Sequence, residues 1–135
     1  MNDTKQQAIK KCLEARQKAI LIKSSSCKVG AAIYSPYAVV SGYNIQNKCH
    51  KSYHAEEMAC LRWLQSELDL DLACGIIVSF SAKDIKQLTF ACGHCRQTLW
   101  ETFKNLNMLV TEVDLEGNIV KEVTLGELYP YPYPR

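Results

Sequence analysis

Two short motifs that lie far apart in the chain constrain its fold most, because each is incomplete without the other. Cys92 and Cys95 lie three positions apart at the start of a predicted helix, with Gly93 after the first cysteine. His54 and Glu56 lie two positions apart at the start of another predicted helix. Zinc binds cysteine sulfur and histidine nitrogen, and a catalytic zinc site keeps three protein ligands and one position for water. The chain is therefore predicted to fold so that these two helix starts meet around a zinc ion.

The residue types at the two helix starts suit this chemistry. The positive end of a helix favours thiolates, which are the form of cysteine that binds metal. At positions i and i+3, Cys92 and Cys95 lie on the same side of the helix. Glu56 is placed to exchange protons with a water on the metal, although a glutamate in a first turn is also favoured simply by the helix dipole.

Two other interpretations of the cysteine pair stay open. A Cys-x-x-Cys pair alone also occurs in redox proteins and in closed structural zinc sites. A closed site needs four ligands, for which His50 is the remaining candidate, since the sequence has no second Cys-x-x-Cys pair. A redox pair is typical of a thioredoxin-like strand pattern without a neighbouring His-x-Glu. The open, catalytic site is therefore the favoured interpretation.

The composition is that of an ordinary globular domain and argues against several classes of protein. With 135 residues, 47% of them hydrophobic and 22% charged, the chain is long enough for one domain with its own core. The net charge of +2 and the lack of a Lys/Arg cluster argue against a nucleic-acid partner. No apolar run approaches the ~18 residues of a membrane span. The N-terminal segment is polar, unlike a signal peptide, and the odd number of seven cysteines argues against a disulfide framework. A reduced, cytoplasmic protein is therefore predicted.

Five cysteines lie outside the ligand pair, without regular spacing. They are expected to behave as small buried hydrophobes. These residues are Cys12, Cys27, Cys49, Cys60 and Cys74.

Hydrophobic periodicity predicts an alternation of helices and strands. The predicted helices are 4–23, 54–68, 93–104 and 125–128, and the predicted strands are 29–34, 38–44, 76–80, 108–113 and 119–123. Polar connections are expected at 45–53 and 81–91. The strand–helix–strand–helix–strand centre predicts an α/β protein with a sheet covered by helices. The second and third helices are expected to start at the same edge of that sheet, where ligand sites commonly lie.

Further motifs add a family resemblance. His54-Ala55-Glu56, followed by Cys92-Gly93-His94-Cys95, resembles the motif of the zinc-dependent cytidine deaminase superfamily. Within it, the chain is similar to the free-nucleoside cytidine deaminases and the related blasticidin-S deaminases. Matching segments lie at 29–32, 42–47 and 127–133, so that the resemblance covers about residues 25–133. It implies one domain over residues 1–135 with a three-layer fold, a five-stranded mixed sheet flanked by helices, and a C-terminal arm at 128–135.

The resemblance also implies a reaction and a set of site residues. In this family a cytosine ring is deaminated by hydrolysis, with hydroxide formed on zinc as nucleophile and a glutamate as proton shuttle. By position, Glu56 is the shuttle, and His54, Cys92 and Cys95 are the zinc ligands. The expected contacts with a small-molecule nucleoside are Cys27, Asn44, Gln46, Ala55 and Tyr133. The resemblance further implies a homotetramer, or a homodimer, in which the arm brings an aromatic residue to a neighbouring active site.

Several positions depart from the family pattern. Many free-nucleoside deaminases have a cysteine where this chain has His54, and an arginine where it has Glu57. Two thiolates and a neutral histidine already balance the charge of zinc, so that no arginine is needed. Glu57 is then expected to face solvent or another subunit. The predicted pocket wall also differs, because Cys27 and Tyr133 replace phenylalanines and Gln46 replaces a glutamate.

Cytidine or deoxycytidine is the expected substrate, with alternatives. One is a modified nucleoside such as blasticidin S, or another small aminoheterocycle. Another is a zinc-stabilised binding protein without turnover, which would have no need of Glu56. Deamination of a base within nucleic acid is opposed by the small net charge and by the lack of a basic groove with aromatic residues.

Overall fold

The structure is a computed structural model that describes residues 3–22, 27–49, 51–80 and 92–134. The predictions for 23–26, for His50 and for the connection at 81–91 lie outside the described residues. The helices are α1 (Asp3–Gln17), α2 (Ala55–Gln65), α3 (Gly93–Phe103) and α4 (Leu125–Leu128), with a 3-10 turn at Leu70–Leu72. The strands are β1 (Val29–Tyr34), β2 (Val39–Tyr43), β3 (Ile45–Gln46), β4 (Ser52–Tyr53), β5 (Gly75–Phe80), β6 (Leu109–Val113) and β7 (Ile119–Thr124). None of these helices combines the length and apolar character needed to cross a membrane.

Five strands form the predicted mixed sheet, in the order β2-β1-β5-β6-β7. The two predicted hairpins, β1-β2 and β6-β7, are confirmed as antiparallel pairs. β1 is also antiparallel to β5, whereas β5 and β6 are parallel and are joined by the crossover that contains α3. β3 and β4 form a separate two-stranded pair within the segment that was predicted to be a polar loop.

Helices cover both faces of this sheet, which confirms the three-layer α/β arrangement. On one face α1 packs through Ala8, Ile9 and Cys12 against side chains of β1 and β5. On the other face α2, α3 and α4 surround a second core cluster that contains the fully buried Trp63. The ring of Trp63 meets that of Phe103 edge to face, with 5.9 Å between centroids.

Two glycines set how closely the helices approach the sheet. A Cβ atom at Gly30 would lie 2.1 Å from the carbonyl oxygen of Cys12 in α1. A Cβ atom at Gly42 would lie 2.6 Å from the backbone nitrogen of Ala59 and 2.7 Å from the carbonyl oxygen of Ala55, both in α2. Only glycine leaves room for backbone contacts this close. Because Ala55 is the first residue of α2, the contact with Gly42 also positions the start of that helix.

The end of α1 was predicted wrongly, since the helix stops before residue 23. Ile20 instead forms a parallel bridge with Ile45. Its backbone N–H donates to the carbonyl oxygen of Asn44 at 3.1 Å, and its carbonyl accepts from the N–H of Gln46 at 2.8 Å. A residue cannot use the same backbone groups in a helix and in a strand bridge, so this tertiary pairing overrides the helical periodicity.

The prediction of buried cysteines is only partly confirmed. Cys12 and Cys60 are buried, and burial raises the pKa of each thiol to about 12. Cys74 is half-buried, whereas Cys27 and Cys49 are exposed. Both exposed residues lie in connections between elements, which run over the surface of a protein.

Candidate metal centre

The structure brings the three predicted zinc ligands together at the starts of α2 and α3. His54 is the N-cap of α2, Cys92 is the N-cap of α3, and Cys95 lies in the first turn of α3. The Nδ1 atom of His54 lies 3.3 Å from the Sγ atom of each cysteine. The three ligand atoms all lie within 4.8 Å of one another, an arrangement that no other group of His, Cys, Asp and Glu side chains reaches in the described segments.

This set of donor atoms fits zinc. Bond lengths of about 2.0 Å to nitrogen and 2.3 Å to sulfur in a tetrahedral site place the two donors roughly 3.5 Å apart. The observed separation of 3.3 Å between His54 Nδ1 and each Sγ is close to this edge length. Three ligands leave the fourth position of a tetrahedron for another group. Cys92 is exposed and Cys95 is fully buried, so that the cluster lies at the border between the solvent and the core.

The surroundings of Cys95 favour a bound cation. Burial raises the pKa of its thiol above the ordinary value, and the nearby Glu56 carboxylate raises it further. A divalent cation in contact with the sulfur reverses this preference, because a coordinating thiol loses its proton. The first turn of α3 contains no acidic residue. The positive end of the helix dipole can therefore stabilise the thiolates of the two cysteines without a competing carboxylate in that turn.

Glu56 is the second residue of α2. It lies beside the predicted ligands and is only 3% exposed. Burial raises the pKa of its carboxyl, while a hydrogen bond from its own backbone N–H, the neighbouring His54 and a hydrogen bond with Cys95 act in the opposite direction. A carboxyl in this position can both accept and return protons, as a proton shuttle must. The structure therefore places the predicted shuttle in contact with the predicted metal ligands.

Glu57 does not face solvent as expected, because its side chain is only 17% exposed and turns inward, whereas a contact with another subunit stays a prediction. Its Oε1 atom accepts a hydrogen bond from the backbone N–H of His54 at 2.6 Å, as in a capping box. Its Oε2 atom accepts from Nε2–H of His94 at 2.9 Å. Burial alone would raise the pKa of Glu57, but these hydrogen bonds from His94 and His54 hold it below its ordinary value. This contact was not predicted from the sequence. Its only signals there were the glutamate in the first turn of α2 and the histidine in the first turn of α3.

Asn44 and Gln46, two of the predicted substrate contacts, bind the backbone that connects α1 to β1. The Oδ1 atom of Asn44 accepts from the N–H of Val29 and its Nδ2 atom donates to the carbonyl oxygen of Cys27, each at 2.8 Å. The Oε1 atom of Gln46 accepts from the N–H of Ile22 at 2.9 Å. The predicted contacts of both amides with substrate stay predictions.

Ala55 and Cys27 occupy very different surroundings. Ala55 is fully buried and begins α2 directly after His54, so that its backbone N–H belongs to the group that lacks a partner within the helix. Cys27 is exposed and precedes β1. Ala55 follows the predicted ligand His54 directly, whereas Cys27 accepts a hydrogen bond from Asn44 through its carbonyl oxygen.

The C-terminal arm lies on α3 of its own chain. Arg96 donates through Nη1 to the carbonyl oxygen of Leu128 at 3.0 Å, and Gln97 donates through Nε2 to the carbonyl oxygen of Tyr133 at 3.2 Å. The hydroxyl of Tyr129 donates to Gln97 and accepts from the backbone N–H of Tyr133. The Tyr133 side chain remains largely exposed. Its predicted place in a neighbouring active site, and the homotetramer, stay predictions.

Comparisons with known proteins agree with this centre. The family model described as the cytidine and deoxycytidylate deaminase zinc-binding region matches residues 2–110. The cytidine deaminase of Halalkalibacterium halodurans is 31% identical over 127 residues, which are 93% of this chain and 91% of the relative. The crystal structure of cytidine deaminase from Burkholderia pseudomallei has a TM-score of 0.80 at 24% identity, covering 95% of this chain and 98% of that one. A mutant form of the Mycobacterium tuberculosis cytidine deaminase has a TM-score of 0.75 at 20% identity, covering 96% and 94%.

Proposed function

The chain belongs to the cytidine and deoxycytidylate deaminase family, and on that premise we propose that it deaminates cytidine or deoxycytidine as free nucleosides. Its family identifies it as a zinc-dependent hydrolytic deaminase. The observation that carries the proposal is the meeting of His54, Cys92 and Cys95 beside the buried carboxyl of Glu56. A purely structural zinc site needs four protein ligands and has no use for an acid–base group at its edge.

His54, Cys92 and Cys95 would hold the zinc ion, which when bound lowers the pKa of a water molecule and so supplies a nucleophile at neutral pH. Glu56 takes a proton from the attacking water and passes it to the ring nitrogen next to the amine-bearing carbon. It then carries the second water proton to the amine, the carbon–nitrogen bond breaks, and ammonia leaves. The oxygen of the water stays on the ring carbon as a carbonyl. The position of Glu56 beside the cluster supports this role, because a shuttle must lie within hydrogen-bond reach of the groups that exchange protons.

Positioning of the nucleoside is the second part of the proposal. The backbone N–H of Ala55 lies at the start of α2, where the first amides of a helix have no partner within it and can bind the ring. Asn44 and Gln46 are the proposed hydrogen-bonding partners of the sugar, since an amide side chain both donates and accepts. Cys27 and Tyr133 complete the proposed wall, and both have exposed side chains.

Replacement of the shuttle tests the proposal. We expect Glu56→Gln to retain zinc and to lower kcat for cytidine by about 10²–10⁴-fold, because the amide cannot exchange protons. Conversion of cytidine is followed by ultraviolet absorbance and ammonia release, and zinc is quantified in the same samples. Glu116→Gln, which changes an exposed glutamate in the turn between β6 and β7, is the matched control and should retain full turnover. Unchanged turnover in zinc-loaded Glu56→Gln protein would exclude the assigned shuttle.

A substrate panel separates the alternatives. Ammonia release is measured with cytidine, deoxycytidine, cytosine, blasticidin S, guanine and adenosine. Release from blasticidin S but not from cytidine would replace the proposed substrate with a modified nucleoside. Zinc-loaded protein that releases ammonia from none of them would favour the zinc-stabilised binding protein.

A further inference from the structure

We propose that Glu57 and His94 are positioning residues of the metal centre, whose contact holds the start of α2 against the start of α3. The contact fixes the separation between His54 on one helix and the two cysteines on the other. The inference rests on the zinc site of the proposed function, but it does not depend on which substrate is deaminated.

The first step in the argument is that Glu57 is bonded at both ends. One carboxylate oxygen accepts from the backbone N–H of the ligand His54 at 2.6 Å. The other accepts from the imidazole of His94 at 2.9 Å. Hydrogen bonds to an ionised acceptor are stronger than neutral ones, and the Glu57 side chain is only 17% exposed. One side chain thus connects the N-cap of α2 to the first turn of α3.

The second step is the position of His94 between the two cysteine ligands. Any displacement of His94 moves Cys92 and Cys95 with it, because the three residues share the first turn of α3. The carbonyl oxygen of His94 also accepts a hydrogen bond from the Thr98 hydroxyl at 2.9 Å, which fixes this turn to the next one. The His94 side chain is 61% exposed, so that hydrophobic burial does not account for its position.

The third step is the weak local support for the start of α3. Its N-cap, Cys92, makes no side-chain capping bond, and no acidic residue lies in its first turn. The start of α2, in contrast, has both a capping carboxylate and the close packing of Ala55 on Gly42. Through the link from Glu57 to His94, the better supported start of α2 therefore holds the start of α3 in place.

The residue type at position 57 follows from this role. The backbone N–H of His54 can only donate, so that the side chain at position 57 has to offer an acceptor to it. Arginine, which many free-nucleoside deaminases have at this position, carries five donors and no acceptor. It could not accept from the N–H of His54. Glu57 therefore provides the acceptor that the start of α2 requires.

Zinc affinity of the full-length protein, measured without substrate by competition with a chromogenic chelator, tests the inference. Partners of metal ligands typically change metal affinity by about 10–100-fold when they are removed, and we expect a loss in this range for Glu57→Ala. His94→Ala should lose part of it, because only the link between the helices is removed. Glu57→Gln should keep most of the affinity, since its amide oxygen still accepts from His54 and its N–H₂ group can donate to His94.

Glu127→Ala is the matched control. Glu127 accepts from the N–H of Thr124 at the start of α4, as Glu57 does from His54, but that N-cap is not a metal ligand. Its removal should change the stability of the protein without changing zinc affinity. The visible spectrum of cobalt-substituted protein gives a second readout of ligand geometry. It should change in Glu57→Ala and His94→Ala and stay unchanged in Glu57→Gln and Glu127→Ala.

The possible outcomes separate the two proposals. If Glu57→Ala does not fold, the His94→Ala variant tests the positioning role instead, because the side chain of His94 is largely exposed. Wild-type zinc affinity and an unchanged cobalt spectrum in folded His94→Ala protein would overturn the inference, even with deamination intact. The expected loss of zinc affinity in a protein that deaminates no nucleoside would support the inference and contradict only the proposed function.

Discussion

The starts of α2 and α3 differ in the side chains that they place near the partial positive charge of the helix dipole. In α2 the first turn contains two carboxylates, Glu56 and Glu57, and the metal ligand is an imidazole. In α3 the first turn contains no carboxylate, and the ligands are Cys92 and Cys95. In the proposed site, the first helix thus supplies the groups that move protons and hold position, and the second supplies the negative charge for the metal.

This division has a consequence for the charge of the site. Two thiolates balance a divalent zinc ion, so that the carboxylate of Glu56 is not required as a ligand. In the proposed function Glu56 then acts as an acid–base group and not as a ligand, although it lies next to the metal cluster and is almost fully buried. A site in which carboxylates and thiolates shared one helix start would place three negative charges on the same few backbone amides.

The largest expected effect comes from removing ligands on the two sides of this comparison. Cys95→Ala removes a ligand together with a negative charge, whereas His54→Ala removes a ligand only. We therefore expect Cys95→Ala to lose more zinc affinity than His54→Ala. Cys49→Ala changes an exposed cysteine outside the cluster and should keep about one zinc per chain. Zinc content after graded chelator dialysis measures all three, and equal losses in the two ligand variants would break the proposed division of charge.

The two glycines under the helices provide a test in which no polar group changes. Gly42→Ala forces a Cβ atom against the backbone of α2, and Gly30→Ala forces one against α1. We expect each to lower the free energy of unfolding by at least about 1–3 kcal/mol through overpacking, measured by urea denaturation. Only Gly42→Ala should also weaken zinc binding, because it displaces the helix start that carries His54. An equal effect of both variants on zinc affinity would show that general destabilisation, and not the position of α2, controls the site.

The smallest expected effect concerns a carboxylate remote from both helix starts. Glu122 in β7 accepts hydrogen bonds from Lys5 of α1 and from the hydroxyl of Thr111. Burial alone would raise the pKa of Glu122, but these bonds hold it below its ordinary value. With a depressed folded pKa, the stabilisation is present above the unfolded pKa and is lost as pH falls through the folded pKa.

Lys5→Met should therefore lower the free energy of unfolding by about 0.2–1 kcal/mol near neutral pH. Urea denaturation at a series of pH values should show this difference disappearing in acid, while zinc affinity at neutral pH stays unchanged. Lys11→Met is the control on the same helix, since Lys11 makes only a 3.8 Å exposed contact with Glu14. A difference between Lys5→Met and wild type that persists in acid would mean that lost packing, and not the ion pair, is responsible.

The grouping of His54, Cys92 and Cys95 was predictable from sequence, because residue types and the Cys-x-x-Cys spacing indicated a metal site and both motifs lie at predicted helix starts. His54, Cys92 and Cys95 need only lie at helix starts, and helix starts are marked by local patterns. The contact of Glu57 with His94 was not predictable in this way, because it depends on how two helices are rotated against each other. Asn44 shows another limit, since an amide suits a substrate and a backbone equally well. Only the fold shows that the N–H of Val29 lies within its reach.

The main sheet and its hairpins followed from periodicity, but the elements next to it were less predictable. Ile20 fits a helical pattern, yet its backbone groups pair with the segment after β2. That pairing depends on a chain segment remote in sequence, which local propensity does not register. The exposure of Cys27 and Cys49 has a similar origin, because the same residue type is buried in an element and exposed in a connection.

The anchoring of the C-terminal arm on α3 has a practical consequence for labelling and immobilisation. Arg96 and Gln97, which bind the arm, follow Cys95 directly in the chain. A bulky fusion or a pulling force applied through the arm therefore acts on the same helical turn that carries a zinc ligand. The exposed start of α1, which carries no residue of the metal centre, is the better attachment point for a dye, a surface or an affinity tag.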